Sequence, residues 1–450
     1  MPDRTFHAPI ERVSANDATI LATDRGRAPM NLGAVVVVER GADLEFDHVA
    51  NVLGRRLTRV RRLRQRLVDT PLGCGRPIWV DAADFHLDRH LLTASPAGRN
   101  STLDVAAELL CTRLDRGRPL WAARWVTGLP DGDAALVLVL HHCLSDGLGG
   151  LAALAALCDE GGQAGGPAET VDRALTLGFP LPAPSRRALA DDARRSRAAG
   201  IHRLPQRVRT GADGLRELGA RGRPHPAART SLTRPTGARR ALGTTHTPLA
   251  PLVATAHSRG CTVNDLVLCA VSGALGELLR GRGETVTELV ASVPVSSRRT
   301  ATAAALGNAT GVMPLALPLI ADANERLRRV TTMTADRSGP ARGLSAGPLG
   351  LAFRVLAAVG GFQYFIDHQR LVHTFVTNVR GPASPLTFAG HQVASITPMA
   401  VTPGNVGVSF DVLSYAGQLA VTVVADPVVL VDPADLAARV GDELALLAAG

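Results

Sequence analysis

The sequence predicts an α/β protein built from two domains. The chain has 450 residues, of which 46% are hydrophobic, so it is too long for one ordinary core and apolar enough to bury two. Segments with the composition of buried strands alternate along the chain with segments of helical periodicity, which is typical of α/β proteins. We expect domains at residues 1–183 and 229–450, with an arginine-rich connection at residues 184–228 between them.

Four segments have the patterns of strands. Leu32–Val38 and Ala134–Leu140 are almost continuously apolar, as expected of strands covered on both faces. Val406–Tyr415 and Gln418–Ala425 alternate apolar with polar or small residues around Ala416-Gly417, which predicts a hairpin with one covered face. Helical periodicity is found in four further segments: Leu103–Leu114, Leu148–Leu157, Val263–Leu279 and Pro433–Leu447.

The segment Gly350–Ile366 is strongly apolar but is interrupted by Arg354, Gly360-Gly361 and Gln363. These interruptions favour a buried helix pair over a membrane anchor. No run of about 18 uninterrupted apolar residues occurs, and the N-terminus is charged and lacks an apolar signal core. We therefore expect a cytoplasmic protein.

The positive charge is confined to one segment. The formal net charge is +9 and every one of the 49 basic residues is arginine. Between Arg186 and Arg240 there are fifteen arginines against four acidic residues, a net charge of +11, so the rest of the chain carries −2. Few aromatic residues are interleaved for stacking on bases, which argues against nucleic acid as a partner. A solvated linker with short helices is favoured over a surface for anionic lipid or for a nucleotide-bearing donor.

The chemistry of the chain is predicted to lie in His141-His142-Cys143-Leu144-Ser145-Asp146-Gly147, which directly follows the apolar strand Ala134–Leu140. Adjacent residues at a strand end point to opposite sides, so only one histidine can face a given cavity. A neutral imidazole can take a proton from a hydroxyl that attacks a thioester. Asp146 is expected to pair with a distant arginine and orient the loop, and Gly147 to adopt a backbone angle closed to other residues.

Three other uses of these residues are weaker. The histidines at a strand end are alternatively structural donors. Metal binding by His141, His142 and Asp146 is disfavoured because neighbouring side chains point apart and no further ligand cluster is evident. A nucleophile is disfavoured because Ser145 of the motif does not lie in a G-x-S-x-G pattern and Cys143 adjoins its would-be base. The six cysteines show no C-x-x-C pair, which predicts reduced and mostly buried thiols.

The sequence resembles the bacterial wax ester synthase/diacylglycerol acyltransferase family, within the larger set of CoA-dependent acyltransferases and condensation domains that carry H-H-x-x-x-D-G. The resemblance runs nearly end to end. The segments that match, in the family's order, are Arg64-Gln65-Arg66, Trp79, Leu114–Trp121, the motif itself, Thr262–Asp265, Val293–Arg298, Gly307-Asn308, Asn378–Pro382, Ser414–Gly417 and Asp426.

The resemblance implies two chloramphenicol-acetyltransferase-like subdomains with mixed sheets flanked by helices, joined by a crossover and enclosing a tunnel. In the tunnel an acyl-CoA donor and an alcohol acceptor would meet at His142, the catalytic base, with His141, Asp146 and Gly147 supporting it. No permanent cofactor and no metal are implied. Asn264, Asp265 and Arg298 match family positions without an assigned role, and capping of a helix at Leu266–Leu279 accounts for Asn264 or Asp265 equally well. Arg298 is our candidate partner for Asp146.

Three positions depart from the family pattern: Asn31 in Pro29-Met30-Asn31, Thr233 in Leu232-Thr233-Arg234-Pro235, and Arg380 in Asn378-Val379-Arg380-Gly381-Pro382. Drift and altered substrate explain them equally well. A fatty alcohol or diacylglycerol is the expected acceptor, with a specialised secondary metabolite as the alternative. A non-catalytic binding protein on the same fold, with the basic segment as its surface, is a further alternative. Peripheral contact with a membrane or lipid body follows from the basic segment.

Overall fold

The computed structural model describes residues 10–39, 41, 44–95, 101–159, 178–202, 226–296, 308, 310–336 and 346–449. The strands in chain order are β1 Glu11–Arg12, β2 Asn31–Val38, β3 Gln65–Val68, β4 Ile78–Asp81, β5 Leu91–Ala94, β6 Trp121–Val126, β7 Ala134–His141, β8 Ala241–Pro248, β9 Glu288–Ser296, β10 Thr310–Pro318, β11 Thr374–Arg380, β12 Thr387–Phe388, β13 His391–Ala400, β14 Val408–Tyr415 and β15 Gln418–Ala425. The α-helices are α1 Ala15–Thr23, α2 Phe46–Arg56, α3 Thr102–Leu110, α4 Gly147–Leu157, α5 Arg186–His202, α6 Leu249–Ser258, α7 Val263–Gly281, α8 Ala323–Asp336, α9 Ala346–Ala358, α10 Phe362–His368 and α11 Pro433–Ala449. Short 3-10 helices lie at Leu57–Arg59, Arg61–Arg64, Leu87–Arg89 and Pro130–Gly132.

The first large sheet has six strands in the order β12-β13-β2-β7-β6-β5. Both predicted central strands lie in it as antiparallel neighbours, β2 and β7, with Asn31 opposite His141. All eight residues of β7 are buried, which confirms the prediction that this strand is covered on both faces. The sheet is mixed, because β5 and β6 run parallel whereas the pairs β6–β7, β7–β2 and β2–β13 are antiparallel.

The second large sheet also has six strands, in the order β10-β9-β11-β14-β15-β8. It too is mixed, since β11 is parallel to both β9 and β14. Helices α7 and α11 supply much of the apolar core beneath it, including the fully buried Leu266, Leu275 and Leu444. The α/β class with mixed sheets flanked by helices is thereby confirmed.

The predicted hairpin is present, but its burial differs from the prediction. Strands β14 and β15 join at Ala416 and Gly417, which both have positive φ angles of 45° and 79°. Both faces of the hairpin are buried, so the expectation of a single covered face was wrong. The second cover is β13, which contacts β14 and β15 from the first sheet.

The crossover between the two halves is made by residues 387–400. Strands β12 and β13 follow β11 of the second sheet in the chain, yet they pair at the edge of the first sheet, with Ala400 opposite Leu32. The crossover therefore carries the chain from the second sheet into the first. There β13 pairs with β2, which is in turn the neighbour of β7.

The arginine-rich connection is represented by α5, whereas residues 203–225 lie outside the described part. Helix α5 is anchored by a 2.6 Å ion pair between Arg12 and Asp192 and by burial of Leu189. Other side chains stay in solvent, such as that of Arg194, which is 76% exposed. The prediction of a solvated connection is thus confirmed for the outer face of α5 only.

The apolar segment at residues 350–366 forms the predicted helix pair, α9 and α10, but the prediction that the pair is buried was wrong. Leu351, Val355 and Val359 are 57%, 56% and 75% exposed, and Tyr364 is 73% exposed. The three aliphatic residues are four apart, so Leu351 and Val355 share one side of α9 and Val359 directly follows the end of the helix. Among the described helices none alone is long and apolar enough to cross a membrane; only α6 and α7 taken together, bent by 103°, meet that length and composition.

Candidate functional site

The two motif histidines stand at the end of β7 in different surroundings. His141 is the last residue of the strand and is 3% exposed. His142 is half-buried, and its backbone N–H donates to the carbonyl of Met30 over 2.8 Å, which continues the pairing toward the start of β2. No hydrogen-bond partner is common to the two rings among the described residues.

His141 is held by two hydrogen bonds. Its Nδ1 accepts from the backbone N–H of Cys143 at 3.1 Å, so its proton lies on Nε2, which donates to Asp24 at 3.1 Å. Burial alone would raise the pKa of Asp24, but the hydrogen bond from His141, the Met30 N–H and Arg113 outweigh it and hold that pKa well below its usual range. His141 is therefore a donor to a buried carboxylate. Sequence reasoning missed Asp24, because nothing near it in the chain indicates a partner 117 residues away.

His142 has the properties of a base at neutral pH. Burial lowers the pKa of His142 below its usual value, and nearby His141 lowers it further, whereas Asp146 and Asn308 act in the opposite direction. Its Nδ1 is buried and makes no hydrogen bond with any residue that the structure describes. The imidazole is thus neutral at pH 7 and has a nitrogen lone pair available for a proton.

Asp146 is the N-cap of α4, and its Oδ1 accepts from the backbone N–H of Gly149 at 3.0 Å. This bond fixes the turn that leads from the histidines into the helix. The expected unusual backbone angle at Gly147 was wrong, because its φ is not in the positive region. A Cβ there would lie 3.0 Å from a methyl group of Val379 in β11, so a larger residue would require Val379 to shift by a few tenths of an ångström.

The pair Asn264-Asp265 opens α7 but does not provide its N-cap, which is Thr262. Asp265 is the third residue of a capping box with Thr262, and its other oxygen accepts from the Thr334 hydroxyl at 2.7 Å. The Oδ1 of Asn264 accepts from the side chain of Asn378 at 3.2 Å. Asn378 precedes Val379 in β11, so Asn264 contacts the strand that packs against Gly147. Arg298, the candidate partner of Asp146, lies outside the described residues.

Asn308 reaches the motif from the second half of the chain. Its side-chain Nδ2 donates to the carbonyl of His142 at 2.6 Å and to Oδ1 of Asp17 at 2.7 Å. The sequence had singled out Gly307-Asn308 as a family segment, but without a role. Asp17 had no signal beyond the capping pattern Ser14-x-x-Asp17 at the start of α1.

The remaining side chains of the motif are unsuited to nucleophilic attack. Burial raises the pKa of the Cys143 thiol far above its usual value, so the thiolate is inaccessible at neutral pH. The hydroxyl of Ser145 is fully buried and donates to the carbonyl of Asp146 at 2.9 Å. Within the described ranges no group of three or more His, Cys, Asp or Glu side chains is arranged to hold a metal ion. Among the motif side chains from His141 to Asp146, only that of His142 is partly exposed.

Comparison with known proteins identifies the family. The model for the wax ester synthase/diacylglycerol acyltransferase catalytic domain matches residues 13–267, and the model for the C-terminal domain of the same family matches residues 306–448. A probable diacylglycerol O-acyltransferase of Mycobacterium tuberculosis strain H37Rv is 31% identical over 437 residues, which cover 93% of this chain and 91% of that protein.

Two solved structures share the fold. The wax ester synthase/diacylglycerol acyltransferase from Marinobacter aquaeolei VT8 superposes with a TM-score of 0.67 at 19% identity, covering 97% of this chain and 98% of that one. A starter condensation domain of rhizomide synthetase, crystallised with C8-CoA and Leu-SNAC, superposes with a TM-score of 0.61 at 17% identity, covering 98% and 94%. With both domain models matched in order, this chain belongs to the wax ester synthase/diacylglycerol acyltransferase family and is an acyltransferase of the acyl-CoA-dependent type.

Proposed function

We propose that His142 is the general base of an O-acyl transfer from acyl-CoA to an alcohol. The observations that carry the proposal concern the ring and the backbone of His142. The ring is neutral at pH 7 and half-buried at a strand end, and both the N–H and the carbonyl of His142 are hydrogen-bonded. Because Nδ1 is buried, we assign the proton transfer to Nε2. His142 then takes the proton of the acceptor hydroxyl as its oxygen attacks the thioester carbonyl.

The reaction proceeds without an acyl-enzyme in this proposal. The acceptor oxygen forms a C–O bond to the thioester carbon, and the tetrahedral intermediate collapses with cleavage of the C–S bond. The departing CoA thiolate receives the proton that His142 holds, so the imidazole is neutral again at the end. The buried Cys143 and Ser145 take no covalent part, and Asp146 keeps the turn in place through its bond to Gly149.

A fatty alcohol or diacylglycerol is the proposed acceptor. Two of the three departures from the family pattern make structural contacts here. The amide of Asn31 is fully buried and donates to the carbonyls of Leu110 and Thr112 at the end of α3. The hydroxyl of Thr233 closes a turn with the backbone of Thr230. These contacts favour drift at both positions over an altered substrate.

The proposal is tested by measuring thiol release from long-chain acyl-CoA in the presence of hexadecanol, a diacylglycerol or hydroxylated secondary metabolites. We expect release that depends on the acceptor and is fastest with one of the two lipid acceptors. Release only with a hydroxylated metabolite would assign the chain to specialised ester formation. Absence of acceptor-dependent release with every combination would contradict catalysis and favour a binding protein on this fold.

We also propose peripheral contact with a lipid surface, at the cytoplasmic face of a membrane or at a lipid body. Two features support it. Leu351, Val355 and Val359 present an apolar side of α9 and its C-terminal end to solvent, and such a side is stabilised by burial in an interface. Exposed arginines on α5, such as Arg187 and Arg195, add attraction to anionic lipid.

Replacing Val355 and Val359 together by glutamate is expected to weaken binding to phosphatidylglycerol-containing vesicles by about tenfold or more. The variant lacks two apolar side chains whose burial in the lipid interface stabilises the bound state. Co-sedimentation measures it. The matched control replaces Val428 and Val431, which are 78% and 87% exposed elsewhere, by glutamate and should leave binding near the parent value. If the two pairs of substitutions weaken vesicle binding equally, the α9 surface is excluded as the binding site. If the parent protein does not bind the vesicles at low or at high salt, lipid contact is excluded altogether.

A further inference from the structure

Asn308 connects three parts of the chain at the catalytic histidine. Besides the two bonds of its side chain, its backbone N–H donates to Oδ1 of Asp17 at 3.1 Å, and its carbonyl accepts from the side chain of Asn16 at 3.2 Å. Four hydrogen bonds thus tie one residue of the second half to α1 and to the main chain of His142. The partners are 166 and 291 residues away in sequence.

The orientation of the Asn308 amide follows from its partners. The carbonyl oxygen of His142 and the carboxylate of Asp17 are both acceptors, and Nδ2 has two hydrogens, one for each. The reversed amide would place its oxygen against both acceptors, and the His142 carbonyl would lose this donor. Asparagine therefore suits the position, since it provides both donors on one nitrogen.

The carboxylate of Asp17 divides its oxygens between two tasks. Oδ2 accepts from the backbone N–H of Ser14 at 3.3 Å in the capping box of α1, which is an ordinary helix-start interaction. Oδ1 accepts both bonds from Asn308. Asp17 is 4% exposed, so this charge-assisted contact is shielded from water.

We propose that Asp17 and Asn308 are positioning residues that fix the ring of His142 through its backbone carbonyl. The N–H of His142 is already held by Met30. With the carbonyl held as well, both peptide groups that flank the Cα are fixed, and so is the direction of the Cα–Cβ bond that carries the imidazole. This inference rests on the proposed function, because it assumes that His142 is the base whose direction matters.

Replacing Asn308 by alanine is expected to lower kcat about 10- to 100-fold with less than about threefold change in KM, because a base displaced by a fraction of an ångström loses its approach to the acceptor hydroxyl. Asp17→Ala should have a similar effect, and Asp17→Asn should restore part of the loss, since an asparagine oxygen can accept from Asn308. Because the two residues act on the same carbonyl, the double variant Asp17→Ala/Asn308→Ala should be little worse than either single variant.

The control separates positioning from stability. Ser14→Ala removes the cap bond that the Ser14 hydroxyl accepts from the Asp17 N–H, but it leaves the Asn308 contacts in place. It should lower Tm without changing kcat. If Ser14→Ala and Asn308→Ala lower Tm equally and also lower kcat equally, the role is merely structural and the proposal is overturned.

A readout without turnover distinguishes failure of this proposal from failure of the proposed function. In protein labelled with 13C-histidine, the ring signal of His142 is the one that His142→Ala lacks. Asn308→Ala should shift this signal, because the ring changes its surroundings once the His142 carbonyl loses its Asn308 donor. An unmoved signal together with parent-like kcat refutes the positioning role even if His142 is essential. If the signal shifts in Asn308→Ala but His142→Ala turns over like the parent, the proposed function is refuted, whereas the contact between Asn308 and His142 is supported.

Discussion

His142→Ala is expected to lower kcat for acyl transfer by about 100- to 10,000-fold, the contribution that a positioned general base typically makes. KM for acyl-CoA should change little, because the imidazole is assigned to proton transfer and not to donor binding. His142→Gln should be equally inactive, since an amide can hydrogen-bond the acceptor but cannot take its proton. Steady-state thiol release with a fixed acceptor measures both constants.

The pH profile provides a second test of the same residue. The base is active when deprotonated, and burial lowers its pKa below the ordinary value of 6.5. Activity should therefore rise with pH on the acidic side and already be level near pH 7. The matched control is His257→Ala in the last turn of α6, an exposed histidine whose loss should leave kcat and the profile unchanged. A His142→Ala protein with parent-like kcat would exclude the proposed mechanism.

Asp411→Asn is expected to stabilise the protein at pH 8 by about 3 kcal/mol more than at pH 5. Asp411 in β14 is 6% exposed and faces the crossover strand, where Oδ2 accepts from the backbone N–H of Ala400 at 2.8 Å. Burial raises its pKa to about 7, although the hydrogen bonds from Ala400 and Thr377 act against the shift. The folded state therefore keeps this proton at pH values where the unfolded chain has lost it.

The sign of the effect follows from that difference. The stabilising contribution of the protonated carboxyl is complete below the unfolded pKa of about 4 and is lost as the pH rises through about 7. Asparagine has the same shape, stays neutral and can accept from Ala400, so its protein lacks this pH dependence. Urea unfolding at pH 5 and pH 8 measures the change, with Asp84→Asn at an exposed aspartate as the control. A pH-independent difference between parent and variant would contradict the raised pKa.

Composition and periodicity were sufficient to predict the α/β class, the two central strands and the β14–β15 hairpin. A strand covered on both faces must be apolar along its whole length, and β2 and β7 show this directly in sequence. The hairpin turn was predictable because Ala416-Gly417 interrupts an alternating pattern. Whether one or both faces of that hairpin are covered depends on β13, which the crossover places against it. The sequence of β14 and β15 alone does not indicate this contact.

The same division holds for the site. The sequence by itself determined the motif, its position at the end of β7, and the assignment of His142 as the candidate base. It did not determine that His141 binds Asp24, that Asn308 and Asp17 hold the His142 carbonyl, or that α9 leaves its apolar residues in solvent. Periodicity reports which face of one element is apolar, whereas these contacts join residues more than 100 positions apart. They exist only in the folded chain, because only then do segments that are distant in sequence reach hydrogen-bonding distance.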